Sequence, residues 1–135
     1  MTEGNQGYAI SRGTSLSHGD ALQRARELLS ERGYGILAEI DVQAKLQEKL
    51  GVEREPYTIL GACNPPLAGQ GLDAEPDLGV LLPCNVVVYE RDGATHISAV
   101  EPATMLGVVG NASLDPIADR VRQDLTEVVE AVARA

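Results

Sequence analysis

Apolar residues recur along this chain with two periods, about 3.6 and 2, and these divide it into alternating helices and strands. Residues 1–6 are polar and are expected to fray. Tyr8 to Ser11 reads as a short first strand. Ser17, with Asp20 three residues on, resembles a helix-opening capping box. Ala21, Leu22, Ala25, Leu28 and Leu29 then share one helical face, and Gly33 closes the helix. Gly35 to Asp41 alternates as a strand, with Ile36, Ala38 and Ile40 on one face and Leu37, Glu39 and Asp41 on the other. Asp41 is placed to cap the short helix VQAKLQEKL, which Gly51 ends.

Tyr57 to Ala62 predicts another strand. Cys63-Asn64-Pro65 follows it, and Asn as N-cap with Pro as first helical residue starts a short helix at Pro65. A turn-like loop, Asp73 to Gly79, leads into a strand over Val80 to Glu90. There Cys84, Val86 and Val88 face one way, and Asn85, Val87 and Tyr89 the other. Asp92-Gly93 makes a hairpin turn into Thr95 to Val100. Glu101-Pro102 opens a helical turn through Met105. After Asp115-Pro116 a long helix carries the stripe Leu114, Ile117, Val121, Leu125, Val128, Val129 and Val132. The order of elements, with its late hairpin, predicts an α+β two-layer sandwich whose helices cover one face of a largely antiparallel sheet.

At 135 residues the chain fits a single domain, 1–135, able to bury a core. That core is aliphatic, because the sequence has no Phe or Trp and only four Tyr. Eleven Lys and Arg against twenty Asp and Glu give a formal charge of −9, so neither nucleic acid nor an anionic membrane is an expected partner. No run approaches the roughly 18 apolar residues of a membrane span. The N-terminus lacks the basic and apolar regions of a signal peptide, so a cytoplasmic location is expected. There thiols stay reduced, and the two cysteines read as free thiols rather than a structural disulfide.

Cys63 and Cys84 stand at the two ends of the Pro/Gly-rich loop, each followed by Asn. If their strands are antiparallel neighbours, both thiols come to one sheet edge, with alpha carbons within about 7 Å. Cys63 would precede a helix N-terminus, whose dipole favours a thiolate. The chemistry that follows is thiol exchange with a disulfide or persulfide, Cys63 the activated thiol and Cys84 its partner. Core packing explains both cysteines equally well. A soft metal such as copper or zinc would need further donors, with His96 or Met105 as candidates; no cofactor is otherwise expected. His96 reads more simply as a surface histidine, Met105 as core filling and His18 as incidental. Asp41, Asn64 and Asn85 are assigned to a pocket around the cysteines. Capping by itself explains Asp41 and Asn64, and a Glu39–Asp41 acid pair is the weaker reading. No phosphate-binding or hydrolase motif is present.

GYGILAEIDVQAKLQEKLGVEREPYTILGACNPPLA followed by GVLLPCNVVVYERDG resembles the domain-of-unknown-function 302 family. The likeness covers roughly Ser17 to Leu106. It rests on EID before a short helix, ILGACNP and LLPCNV occurring together, with Glu101-Pro102 where that branch has Asp-Pro. The resemblance implies a compact sandwich with a TATA-binding-protein-like layout, a homodimer, and genes that neighbour sulfur and thiol metabolism. It implies no particular activity. Three readings are carried forward: a thiol module in sulfur or redox handling, a non-enzymatic dimeric domain binding a ligand or metal in a cysteine-lined aliphatic pocket, and a dimeric interaction domain in which both cysteines only pack.

Overall fold

The computed structural model describes residues 4, 5 and 7–135, and for 4 and 5 the backbone only. Six antiparallel strands form one sheet in the order β1-β2-β6-β5-β4-β3. They are β1 (Gly4–Asn5), β2 (Ala9–Thr14), β3 (Gly35–Asp41), β4 (Tyr57–Cys63), β5 (Cys84–Arg91) and β6 (Ala94–Val100). The helices are α1 (His18–Glu31), α2 (Val42–Leu50), α3 (Pro65–Ala74), α4 (Pro102–Gly107) and α5 (Asp115–Arg134). Short 3-10 turns, Pro76–Leu81 and Ala112–Leu114, precede β5 and α5. The molecule is an α+β two-layer sandwich, as the element order predicts.

One face of the sheet is buried and the other is open. Ile10, Leu60, Ala62, Val86, Val88, Ile97 and Ala99 point from the central strands into a core closed by the apolar stripes of α1 and α5. Both stripes are the ones the helical period predicts, and all five α1 positions are buried. A second, smaller cluster of Leu78, Leu106, Leu114 and Ala118 lies where the Pro76–Leu81 turn and α4 meet the start of α5. The cavity described below lies between the two clusters and is lined by residues of both.

Several local expectations shift. The fraying expected for residues 1–6 falls partly outside the described residues, but Gly4 and Asn5 pair with Ser11 and Ile10. The first main strand runs on to Thr14, held along its length by β6. Val80 belongs to the 3-10 turn rather than to β5, and its side chain is 85% exposed. In β3 the register shifts between Ile36 and Ala38. Leu37 is the extra residue of this bulge, so Ile36 pairs with Ala62 of the helix-covered face, while Ala38 and Ile40 pair with Gly61 and Ile59 of the open one. The single apolar face expected for β3 is thus divided between the two layers.

Candidate site: a cysteine-walled cavity at the seam of the two cores

β4 and β5 are neighbours, as the thiol reading requires. Cys84 pairs with Ala62, one residue short of Cys63. Antiparallel spacing then sets the Cys63 and Cys84 alpha carbons roughly 6 Å apart, within the expected distance. Side-chain alternation, however, sends consecutive residues to opposite faces, so Cys63 does not leave the ribbon on the side Cys84 does. Both thiols are free; Cys63 is half-buried and Cys84 buried. Burial, with a smaller contribution from Cys63, pushes the Cys84 thiol up to about 11, so it holds its proton at neutral pH.

The two cysteines border one apolar cavity of about 40 Å³. Its walls include Ala62 of β4, Leu67 of α3, Met105 of α4 and Val121 of α5. Leu78 and Leu106 bring the smaller cluster to its edge. Local chain chemistry positions each wall. Asn64 caps α3 by accepting the Leu67 N–H at 3.3 Å, which turns the chain after Cys63. Glu101, 3% exposed, accepts the Ala103 N–H at 3.2 Å and pairs with Arg122 Nε at 2.9 Å. That ion pair ties α4, and with it Met105, to α5.

A further wall is Tyr34, which the sequence reading left unremarked. Gly33, with φ at +86°, takes the left-handed conformation that ends α1. The Gly33 N–H bonds the Ser30 carbonyl and the Tyr34 N–H bonds the Leu29 carbonyl, at 3.1 and 2.9 Å. This C-terminal motif drives Tyr34 into the core. Its hydroxyl donates to Asp124 Oδ2 at 2.8 Å, and Arg120 Nε donates to the same oxygen at 3.0 Å. Burial and the neighbouring carboxylate raise the Tyr34 hydroxyl well above its ordinary value, so it stays protonated.

The other expected pocket residues lie elsewhere. Asp41 accepts the Ala44 N–H at 2.9 Å as the α2 cap, and it pairs with Thr58, at the opposite end of β4 from Cys63. Glu39 is exposed and pairs with Arg26 of α1, which accounts for it without an acid–base role. Asn85 is exposed opposite Gly61 on the open face, because alternation turns it away from Cys84. Of Asp41, Asn64 and Asn85, only Asn64 lines the cavity. His96 stacks on Tyr89, which stacks on Tyr57, in a ladder across the open face. It therefore lies across the sheet from Cys84. Met105 packs against both apolar clusters, so its filling role and its place in the cavity wall coincide. His18 is not incidental, since its Nε2 shares a 2.9 Å hydrogen bond with Thr58 Oγ1. Among the described residues no group of three or more His, Cys, Asp or Glu is arranged to hold a metal. No helix there is long and apolar enough to cross a membrane.

With the fold and cavity in view, the sequence model described as "Domain of unknown function DUF302" matches residues 10–132. This chain belongs to the DUF302 family. The match extends beyond the Ser17–Leu106 likeness at both ends, taking in β2 and most of α5. The crystal structure of an uncharacterized conserved DUF302 protein from Bacillus stearothermophilus superposes with a TM-score of 0.85 at 31% identity. The superposition covers 91% of this chain and 96% of that one. Comparison with curated proteins gives no match. Membership in DUF302 establishes the fold, and the functional argument rests on the cavity.

Proposed function

We propose that the domain binds a small uncharged ligand in the seam cavity, with Cys63 and Cys84 in its wall. The supporting observation is that both cysteines border one apolar cavity. Concave apolar sites with a few polar groups are where small molecules bind. A volume of about 40 Å³ suits a ligand of only a few non-hydrogen atoms. Cys84, protonated at neutral pH, acts here as a polarizable wall rather than as a nucleophile. The test is a titration with dimethyl sulfide followed by amide NMR shifts. Saturable shifts clustered at Ala62, Leu67, Cys84 and Met105, abolished when Ala68→Leu fills the cavity from its α3 wall, support the reading; absent or scattered shifts overturn it.

Thiol exchange is retained as a second reading for Cys63 alone, because Cys63 is half-buried and immediately precedes the α3 cap. Its thiolate would attack the terminal sulfur of a persulfide, form a new S–S bond, and release the donor thiolate to take up a proton. Cys84 resolves such an intermediate poorly, since its thiolate is disfavoured. A mass gain of one sulfur after treatment with a persulfide donor, lost in Cys63→Ser, is the expected result; an unchanged mass removes this reading.

The open sheet face suits a second copy of the chain. Tyr8, Ile40, Val52 and Tyr57 are exposed along it or at its rim, and so are Glu53, Arg54, Arg91 and Asp92. Charges of both signs on one rim allow a two-fold arrangement to pair opposites. Native mass spectrometry should then give a homodimer for the wild type and a monomer for Ile40→Lys. A monomeric wild type would dismiss the dimer.

A further inference from the structure

Away from the cavity, His18 makes a contact that helix packing does not require. It is the first residue of α1, directly after the Ser17 cap, and its Nε2 shares the 2.9 Å hydrogen bond with Thr58 Oγ1 of β4. Thr58 is buried, and His18 Nδ1 is buried with no hydrogen-bond partner among the described residues. A neutral imidazole carries one proton, and a buried N–H without an acceptor is the costlier orphan. The proton therefore sits on Nε2 and is donated to Thr58, which leaves Nδ1 bare. Protonation adds an N–H at Nδ1 with no acceptor there. It also puts a positive charge in the first turn of α1, at the positive end of the helix dipole. Burial accordingly holds the imidazole below its ordinary value.

The surrounding charges offer the protonated ring another place. Asp41 pairs with Thr58 across β3, and Glu90 stands two residues beyond Val88, the other partner of Thr58. Both carboxylates thus share the helix-covered side of the sheet with Thr58, and both favour the charged imidazole, though less than burial opposes it. α1 itself adds Asp20, and β6 presents Thr95, which does not titrate, opposite Glu90. The last turn of α5, which Thr14 reaches through the Val132 carbonyl, carries Arg134, and Glu130 before it is paired with Arg12. We propose that His18 is a pH-sensitive latch: neutral, it ties the start of α1 to β4, and once protonated it leaves Thr58 for the Asp41 and Glu90 carboxylates and frees the first turn of the helix. Folding favours the neutral form. The latch is therefore complete above the ordinary histidine value of about 6.5 and is lost as pH falls through the lower folded value. Thr58 lies at the end of β4 opposite Cys63, so the latch is independent of the cavity reading.

The test pairs an NMR titration of the His18 ring with amide hydrogen exchange at pH 7.5 and pH 5. Ala21, whose N–H bonds the Ser17 carbonyl, reports the first turn of α1. In the wild type its protection factor should fall about threefold or more at the lower pH, while those of Val88 and Ile97 in the core hold. His18→Gln keeps a donor for Thr58 and cannot titrate, so its protection at Ala21 should be the same at both pH values. A His18 ring that titrates at or above the ordinary value would overturn the latch. So would unchanged protection at Ala21 once the ring is protonated, or an equal loss in His18→Gln. Should His18→Gln fold poorly, Thr58→Val decides: it should show the wild type's low-pH protection at both pH values, and a retained pH dependence would count against the proposal.

Discussion

Cys84 gives the most quantitative handle on the site. Its thiol is pushed up to about 11 by burial, whereas an ordinary cysteine titrates near 8.5. At pH 8 the ordinary thiol is about one-quarter thiolate and Cys84 about one part in a thousand. Alkylation proceeds through the thiolate, so titration alone should slow Cys84 by roughly 200-fold, and steric burial adds to this. The same shift makes a stability prediction. The folded-state value is raised above the unfolded one, so the protonated form is favoured by folding. The contribution is complete only below the unfolded value of about 8.5 and is lost as pH rises toward 11. Against that unfolded value the rise corresponds to about 3 kcal/mol. The assay is iodoacetamide labelling with peptide mapping at pH 8, paired with urea denaturation from pH 8 to 11. Cys63 should label promptly and Cys84 only on unfolding. The steeper loss of stability above pH 9 should vanish in Cys84→Ala. Prompt labelling of Cys84 in the native protein, or identical pH profiles for the two proteins, would refute the reasoning.

Three other perturbations probe the walls. Tyr34→Phe removes one of the donors to the buried Asp124, leaving Arg120 in place, and should cost about 2 kcal/mol, near 7 °C in Tm for a chain of this size; a change under about 0.5 kcal/mol would show the bond to be idle. Glu101→Ala removes the α4 cap and the partner of Arg122. It should cost at least the roughly 1 kcal/mol of a lost N-cap and speed hydrogen exchange at Ala103 and Met105, and unaltered exchange there would contradict the tie between α4 and α5. Asn64→Ala should cost about 1 kcal/mol by urea denaturation and raise exchange at Leu67, while stability unchanged from wild type would show the cap to be dispensable.

The layers were legible because burial follows period. The α1 positions from Ala21 to Leu29, and the alternation through Cys84, Val86 and Val88, each encode a face directly. Three features were hidden for physical reasons. One extra residue at Leu37 reverses the faces of β3 beyond it, and nothing in GILAEID marks where the bulge falls. Asp124 looks like any solvated helix carboxylate until its donor, ninety positions away, is found in space. Tyr34 was within reach, since a residue directly after a helix-ending glycine often packs back on the last turn. For the site, the neighbouring strands and the Asn64 cap were readable from spacing. The placement of Asn85 depended on tracing the alternation from Cys84 onto a sheet with one open face. Asp41 was sufficiently explained as a cap by sequence, and that is the role it has.

The central claim is that the seam cavity is a binding site. Its most direct test is a crystal structure of the reduced protein soaked in dimethyl sulfide, with the ligand sulfur located by anomalous scattering. The account predicts that sulfur inside the cavity, among Tyr34, Cys84 and Met105. A cavity without the ligand, while dimethyl sulfide sulfur occupies other surfaces of the same crystal, would contradict it.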